Sequence, residues 1–209
     1  MRSVCPDQKE EIIMLKVFFQ ENSRYIAKYL INQIVMSFLG LCIGLPTMVL
    51  DILPISIIGC FFSVAMLCFL QYDFTFHLGE KHCYLPNGQV KPKKSLGLKI
   101  AIIGSIPTFI VIIIGIIFRL TIEKYATIPM LIYDGLNGTY VQLYAIVNAG
   151  VNKIPNLVLS GVIMWIVCLL FTLPGIISAS LGYYLGSKDK PLRTVFGIKV
   201  NKRIQKFNR

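Results

Sequence analysis

The sequence IPNLVLSGVIMWIVCLLFTLPGIISASLGYYLGS, residues 154–187, runs for 34 residues without a formal charge and decides the fold. A helix needs about 20 apolar residues to cross the ~30 Å hydrocarbon core of a bilayer. Three earlier uncharged runs, of 22, 21 and 19 residues, fit one crossing each: 29–50, 52–72 and 100–118. Because backbone groups in lipid must bond within their own segment, these runs are predicted to be helices.

We therefore predict an all-α polytopic membrane protein with four transmembrane helices, at about 29–50, 52–72, 98–118 and 157–180. The composition agrees, since 55% of the 209 residues are hydrophobic and only 15% are charged, against roughly 45–50% and about 25% in soluble domains. No cleavable signal peptide is expected, because an acidic and polar lead precedes the first apolar run. The chain is interpreted as one integral membrane domain, 1–209.

The distribution of Lys and Arg predicts which way the helices cross. With four crossings, the lead (1–28), the connection 71–99 and the tail (188–209) share one side, and they hold five, five and eight Lys and Arg. The connection on the other side, 119–156, holds three. Basic residues near transmembrane helices are retained in the cytoplasm. Both termini are therefore predicted to be cytoplasmic, with the protein in the cell membrane.

The same distribution explains the net charge of +11. The whole excess falls on the predicted cytoplasmic side, where membrane orientation alone would place it, so nucleic acid is not predicted as a partner. The six cysteines lie within predicted spans or on the cytoplasmic side, and an oxidising solvent is expected only outside. They are interpreted as free thiols.

The outer connection contains a second uncharged run, GLNGTYVQLYAIVNAGVN, residues 135–152. A fifth span here would move the basic tail outside, against the charge distribution. Its apolar core of about a dozen residues suits an interfacial or a re-entrant segment, and we expect the connection to lie against the membrane surface. Asn137, Gly138 and Thr139 also form a glycosylation sequon, which matters only in a host that glycosylates there.

Small residues recur at four-residue spacing within the predicted spans, as in GLCIG and SASLGYYLG. Such spacing lets two helix backbones approach closely. The predicted helix-packing residues are Gly40, Gly44, Ala101, Ser105, Ser178, Gly182 and Gly186. Pro107 is expected to interrupt the third span, and Pro174 to kink the long fourth run.

Basic residues that flank the predicted inner ends of the spans have two interpretations. They are topology determinants, or they also attract lipid phosphates or an acidic partner; these residues are Lys91, Lys93, Lys94, Lys188, Lys190 and Arg193. In the tail, Phe196, Val200, Ile204 and Phe207 favour a basic amphipathic helix on the inner leaflet. A short strand from Phe196 to Val200 is the alternative.

The sequence offers little catalytic chemistry. A cluster on the cytoplasmic side, His77, His82 and Cys83 with Glu80, carries side chains that zinc uses, but its spacing matches no zinc template, so these residues are weak metal candidates. No P-loop, HExxH, GxSxG or GxGxxG motif is present. We expect no enzyme activity and no cofactor.

Two functions remain open from the sequence. The first is a non-enzymatic helix-packing subunit of a membrane complex, with another membrane protein or further copies of the chain as partners in the bilayer. The second is a small transporter or channel component for a neutral or hydrophobic solute, in a cavity between spans. The absence of charged residues well inside the predicted spans makes an ion-coupled mechanism a poor fit.

Overall fold

The computed structural model describes residues 6–49, 53–84, 95–121, 127–141, 143–144, 147 and 157–190. The regular elements within these ranges are helices: α1 (Pro6–Val49), α2 (Leu53–Tyr84), α3 (Leu96–Gly104), α4 (Ile106–Thr121), α5 (Thr127–Asn137), a 3₁₀ turn (Gly138–Tyr140) and α6 (Leu157–Gly186). No strand occurs among the described residues. The predicted all-α class is confirmed.

Three of the described helices are long and apolar enough to cross a membrane: Lys16–Pro46, Pro54–Cys83 and Gly161–Gly186. A fourth crossing results if α3 and α4, which meet at a 45° bend, form one span. The count is thus three or four where the sequence predicts four. These helices indicate an integral membrane protein, because apolar helices of this length match the thickness of the hydrocarbon core.

The helices are longer than the predicted spans. α1 has 44 residues, or about 66 Å at ~1.5 Å per residue, so the lead is continuous with the first span. Phe18 in this extension packs against a buried cluster that includes Tyr29, Phe74 and Ile100. The extension is therefore part of the bundle and not a separate helix. The tail beyond Lys190 lies outside the described residues.

Contacts between helices fix their relative directions. α1 and α2 are antiparallel, since Tyr29 contacts Gln71 and Lys28 lies over the Phe74 ring. α2 and α6 are parallel, since Ser178 contacts Cys68 and Gly186 contacts Phe76. Consequently, one end of the bundle holds the start of α1, the end of α2 and the end of α6. The start of α3 lies there too, since its Gly97 faces Tyr183 of α6. We call this the terminal end and the other the far end.

The predicted interruption of the third span occurs at Ser105, between α3 and α4. Pro107 lacks an N–H group, and its ring disfavours helical backbone in the preceding turn. The Ser105 N–H still donates to the Ala101 carbonyl at 3.0 Å, and the Phe109 N–H donates to the Ser105 carbonyl at 3.1 Å. The chain bends between α3 and α4 without leaving these backbone groups unpaired. By contrast, α6 continues as one helix through Pro174.

Part of the connection after α4 packs inside the bundle. Residues 127–141, which we call the inserted segment, descend from the far end between α1, α4 and α6. Tyr133 packs edge-on against Trp165 at 6.0 Å between ring centroids, and Tyr140 stacks on Phe171 at 5.6 Å. Since Trp165 and Phe171 lie on α6 within a candidate span, the segment lies among the spans. Tyr133 and Tyr140 thus pack inside the bundle, whereas the sequence predicts that the connection lies against the membrane surface.

The outside of the bundle is apolar. Large hydrophobic side chains such as Phe38, Phe61 and Leu131 are mostly exposed, which is unfavourable in water and favourable in lipid. A shallow groove of about 330 Å³ between α3 and α6, lined by Leu98, Ile177 and their neighbours, has the same character. The exposed surface therefore fits a bilayer as its solvent.

Candidate functional site

The small residues of α6 contact α2 of the same chain. A Cβ atom at Gly182 would overlap the Tyr72 carbonyl oxygen and the Thr75 hydroxyl, and one at Gly186 would overlap the Phe76 carbonyl oxygen. The Ser178 hydroxyl donates to the Cys68 carbonyl. From the other side, a Cβ at Gly79 would lie 2.5 Å from the Tyr183 carbonyl oxygen. The contact between α2 and α6 is thus a backbone-to-backbone approach.

The remaining predicted packing residues also lie inside the bundle. Gly40 and Gly44 of α1 are buried, and a Cβ at Gly40 would overlap the backbone of Thr139 in the inserted segment. Ala101 is fully buried, and Ser105 is buried at the bend. These positions serve contacts within one chain, so they offer no evident surface to a partner.

The tip of the inserted segment is held by a cluster of uncharged polar side chains. The Gln33 amide of α1 donates to Asn137 Oδ1 at 2.8 Å and to Thr108 Oγ1 at 3.1 Å. Asn137 is 3% exposed, and its amide donates to Thr108 Oγ1 at 3.4 Å. One amide pair thus joins α1, α4 and the tip. We call Gln33, Thr108 and Asn137 the amide clasp.

A second contact anchors the segment beside the clasp. The Ser37 hydroxyl of α1 donates to the Gly135 carbonyl at 2.8 Å, and the Gly138 N–H donates back to Ser37 Oγ. The turn can approach α1 this closely because Gly138 has no side chain: a Cβ there would lie 2.6 Å from the Ser37 carbonyl oxygen. The backbone groups at the end of α5 are thereby paired among the spans.

Polar residues surround a small cavity next to the clasp. Its volume is about 10 Å³, room for the centre of one water molecule. The lining comes from α1, α2, the α3–α4 bend, the inserted segment and α6: Tyr29, Gln33, Leu67, Gln71, Ser105, Asn137, Tyr140, Thr172 and Gly175. Gln33, Gln71 and Thr172 lie near the middle of their candidate spans. The cavity is therefore at the centre of the bundle.

Two buried polar atoms at this cavity have no hydrogen-bond partner, the Oε1 atom of Gln71 and the hydroxyl of Tyr140. The Gln71 amide nitrogen donates to the Tyr29 carbonyl at 3.2 Å. The Tyr29 and Ser105 hydroxyls are only loosely paired, at 3.5 Å. An unpaired buried polar group costs roughly 1–3 kcal/mol, so a bound group that pairs with these two atoms would stabilise the fold.

One acidic residue enters the bundle with the inserted segment. Asp134 is half-buried, and its backbone carbonyl accepts a hydrogen bond from Ser37 at 3.3 Å. Burial raises the pKa of the Asp134 carboxyl to about 6. Burial thus destabilises the charged form relative to an exposed aspartate, but a pKa of about 6 still leaves most of the carboxyl ionised at pH 7. Asp134 does not line the cavity, whose lining residues carry no acidic or basic side chain.

The weak metal candidates do not converge. His77 contacts Asp73 at 3.5 Å and Glu80 at 3.2 Å. His82 instead contacts the Tyr183 hydroxyl at 3.1 Å, and Cys83 is exposed. Among the residues that the structure describes, no group of three His, Cys, Asp or Glu side chains is arranged to hold a metal ion.

Only two of the basic residues proposed to bind phosphate lie in the described part of the chain. Lys188 and Lys190 are exposed just after α6, and the Lys188 ammonium lies 4.2 Å above the Tyr184 ring. This arrangement is typical of a helix end at the headgroup layer. Lys91, Lys93, Lys94 and Arg193 lie outside the described residues, so their phosphate binding stays a prediction.

Of the residues that line the central cavity, the sequence pattern selected Ser105 alone, and it selected Ser105 for helix packing. Gln33, Gln71 and Asn137 are the amides that the structure brings to the cavity. A signal was present, since Gln33 and Gln71 interrupt otherwise apolar runs, and a polar side chain within a span faces the bundle interior by default. Which amides meet depends on long-range packing, which the local pattern does not encode.

Comparisons of the chain with protein family models, with curated protein sequences and with solved structures find no match.

Proposed function

We propose that the protein lets small uncharged polar solutes cross the membrane through the centre of its helix bundle. The observation that carries this proposal is the polar cavity, to which α1, α2, α6, the α3–α4 bend and the inserted segment all contribute. Irregular backbone at membrane depth is tolerated where it is buried in protein or lines a cavity. Many transporters build their substrate sites from interrupted helices near the bilayer midplane.

The chemistry of the lining favours an uncharged solute. The polar lining side chains are amides and hydroxyls, which donate and accept hydrogen bonds without carrying charge. An ion would leave most of its hydration shell without replacement here, and that loss is costly in a low-dielectric interior. A purely apolar solute would leave Gln71 Oε1 and the Tyr140 hydroxyl unpaired.

The alternative function, a packing subunit of a membrane complex, has lost part of its support. It was predicted from small-residue spacing, and these residues contact helices of the same chain. Association with another membrane protein or with further copies of the chain stays a proposal. Purification in mild detergent tests it: a complex or oligomer supports the subunit role, and a monomer without partners contradicts it.

The proposed location and orientation rest on the distribution of basic residues. We propose the cell membrane, with both termini in the cytoplasm and the far end of the bundle outside. The basic residues near the terminal end, such as Lys81, Lys99 and Lys188, support this orientation.

We propose no enzyme activity, because the central site supplies neither a nucleophile paired with a base nor a pair of carboxylates.

Reconstitution into liposomes tests the proposed function. Purified protein is placed in vesicles, and water, glycerol and urea are followed by light scattering after an osmotic step. At least one of these solutes is expected to cross faster than in protein-free vesicles. Gly175→Leu should reduce that flux, because the Gly175 Cβ position lies 3.5 Å from the Tyr29 hydroxyl at the cavity.

Gly135→Leu is the matched control for this substitution. It adds the same side chain at a helical position where a Cβ meets no atom within 4 Å, so flux should stay at the wild-type level. Size-exclusion chromatography and circular dichroism establish that all three proteins are folded. Wild-type flux no higher than in protein-free vesicles contradicts the proposal, as does equal flux for the folded Gly175→Leu protein.

A further inference from the structure

The two unpaired polar atoms at the central cavity lie on residues that are almost completely buried. Gln71 is 1% exposed and Tyr140 is 3% exposed. The Tyr29 carbonyl only accepts hydrogen bonds, so the Gln71 amide must turn its nitrogen toward it. This leaves Oε1, a pure acceptor, without a partner.

Tyr140 is fixed in a similar way. Its ring stacks on Phe171, with an angle of 14° between the ring planes, and it belongs to a buried cluster with Met36 and Leu67. The hydroxyl is buried and unpaired. Packing of the ring therefore fixes the position of the hydroxyl. A ligand in the cavity that Tyr140 lines would give this hydroxyl a hydrogen-bond partner.

We propose that the central cavity binds one water molecule, which donates a hydrogen bond to Gln71 Oε1 and forms a second one with the Tyr140 hydroxyl. Both residues line a cavity with room for one water, and buried waters usually make about three hydrogen bonds to otherwise unsatisfied groups. The loosely paired hydroxyls of Tyr29 and Ser105 line the same cavity and offer a third partner.

Other ligands of this size fit the lining less well. A hard cation needs about six oxygen ligands, and the amide nitrogens of Gln33 and Asn137 at the clasp are donors that repel it. An apolar molecule would leave Gln71 Oε1 unpaired. An O–H group can donate a hydrogen bond to Gln71 Oε1 and form another with the Tyr140 hydroxyl. If the proposed function holds, the same site would bind a crossing solute: a hydroxyl of the solute would replace the water and form the same hydrogen bonds.

A double-mutant cycle tests the bridging water without relying on transport. The free energy of unfolding is measured by reversible denaturation in mixed micelles for the wild type, Gln71→Met, Tyr140→Phe and the double variant. Methionine keeps the approximate shape of glutamine without its polar atoms. With a bridging water, Tyr140→Phe lowers the folding equilibrium constant about fivefold, the usual effect of one hydrogen bond. An empty cavity predicts no change or a gain in stability.

The cycle also separates the effect of the water from the effect of the hydrogen bond between Gln71 and Tyr29. Gln71→Met loses the hydrogen bond to Tyr29 as well, but that loss cancels in the coupling between the two positions. One shared water predicts a coupling of about fivefold, because either substitution alone removes the bridge. Additive effects of the two substitutions would overturn the proposal.

Tyr133→Phe provides the matched control. It also removes the hydroxyl of a buried tyrosine in the inserted segment, but that hydroxyl donates to the Cys168 carbonyl at 3.1 Å and does not line the cavity. It should weaken folding and show no coupling with Gln71→Met. The flux assay is independent of this cycle: coupling without solute flux overturns only the proposed function, and flux without coupling overturns only the bound water.

Discussion

Gly182 shows how one residue sets the distance between two helices. Its Cα faces the backbone of α2, and a Cβ would overlap the Tyr72 carbonyl oxygen and the Thr75 hydroxyl. The spacing of Ser178, Gly182 and Gly186 predicted a packing face on α6 from sequence alone. The sequence did not indicate that the facing helix would be α2 of the same chain.

We expect Gly182→Ala to lower the free energy of unfolding by about 1–3 kcal/mol, the usual cost of overpacking, and Gly182→Leu to lower it further. Helix propensity would favour alanine by up to ~1 kcal/mol, which is too little to compensate. Reversible unfolding in micelles measures the change.

Gly175→Ala is the comparison within the same helix. Its Cβ position is 3.5 Å from the Tyr29 hydroxyl and 4.0 Å from Leu67, both ordinary contact distances. This variant should keep the wild-type stability or exceed it by up to ~1 kcal/mol. Equal losses at Gly182 and Gly175 would show that close approach is not the reason for glycine at Gly182.

Asn137 has a different role in the structure from the one that the sequence indicates. In the sequence it opens a glycosylation sequon on the predicted outer side. In the structure its side chain is buried and bonded to Gln33 and Thr108, so the folded protein offers no amide for modification. The residue acts as part of the amide clasp, and the sequon has no evident role.

At the scale of elements, the inserted segment is the feature that distinguishes this bundle. Its entry among the spans requires polar partners for the backbone at the turn, and Ser37 and Gly138 supply them to each other. It also requires a turn without a side chain against α1. Gly138 meets this need, while Gly135, three residues earlier, has open space at its Cβ position.

This difference predicts opposite outcomes for two neighbouring glycines. Gly138→Ala places a Cβ 2.5 Å from Leu41 Cγ and 2.6 Å from the Ser37 carbonyl oxygen, and we expect a loss of about 1–3 kcal/mol in the free energy of unfolding.

Gly135→Ala should be neutral or slightly stabilising, since alanine is the better helix former. Unfolding of both variants in the same micelles provides the test. A stable Gly138→Ala protein would mean that the segment does not pack against α1 in this way.

The bent pair of helices α3 and α4 belongs to the same scale. Pro107 made an interruption predictable. The role of the 45° bend between α3 and α4 depends on the residues that it places next to the other helices. Ser105 at the bend lines the central cavity, and Thr108, one turn later, holds the clasp. The bend thus brings polar groups of α3 and α4 to the place where the inserted segment ends.

At the scale of the whole molecule, the proposed orientation can be tested with the protein's own thiols. Cys83 is exposed at the terminal end of α2, which we propose to be cytoplasmic. A membrane-impermeant maleimide should label Cys83 only after the cells are permeabilised. Replacing Cys5 by serine leaves Cys83 as the one thiol predicted to face water there, and thiols in lipid react poorly because they do not ionise.

Thr121→Cys supplies the control at the opposite end of the bundle. Thr121 is exposed at the last turn of α4, at the far end that we propose to be outside. A cysteine at this position should be labelled in intact cells. Labelling of Cys83 before permeabilisation, together with protection of Thr121→Cys, would reverse the proposed orientation.

The sequence by itself determined what depends on local composition. Long uncharged runs made these segments helices suited to a membrane, because an apolar stretch in lipid has no other way to pair its backbone. The four-residue spacing of small residues marked close helix contacts, and Pro107 marked a break. Each of these conclusions follows from neighbours within a few turns of one helix.

Only the tertiary structure decided what lies at the centre. Residues 135–152 allowed an interfacial or a re-entrant segment, since a short, mixed run is stable at the surface or against polar partners within the bundle. The partners that draw the tip inward, Gln33 and Thr108, are 104 and 29 residues away from Asn137 along the chain. Hydrogen bonds between residues so distant depend on how the helices pack, and composition alone does not specify that packing.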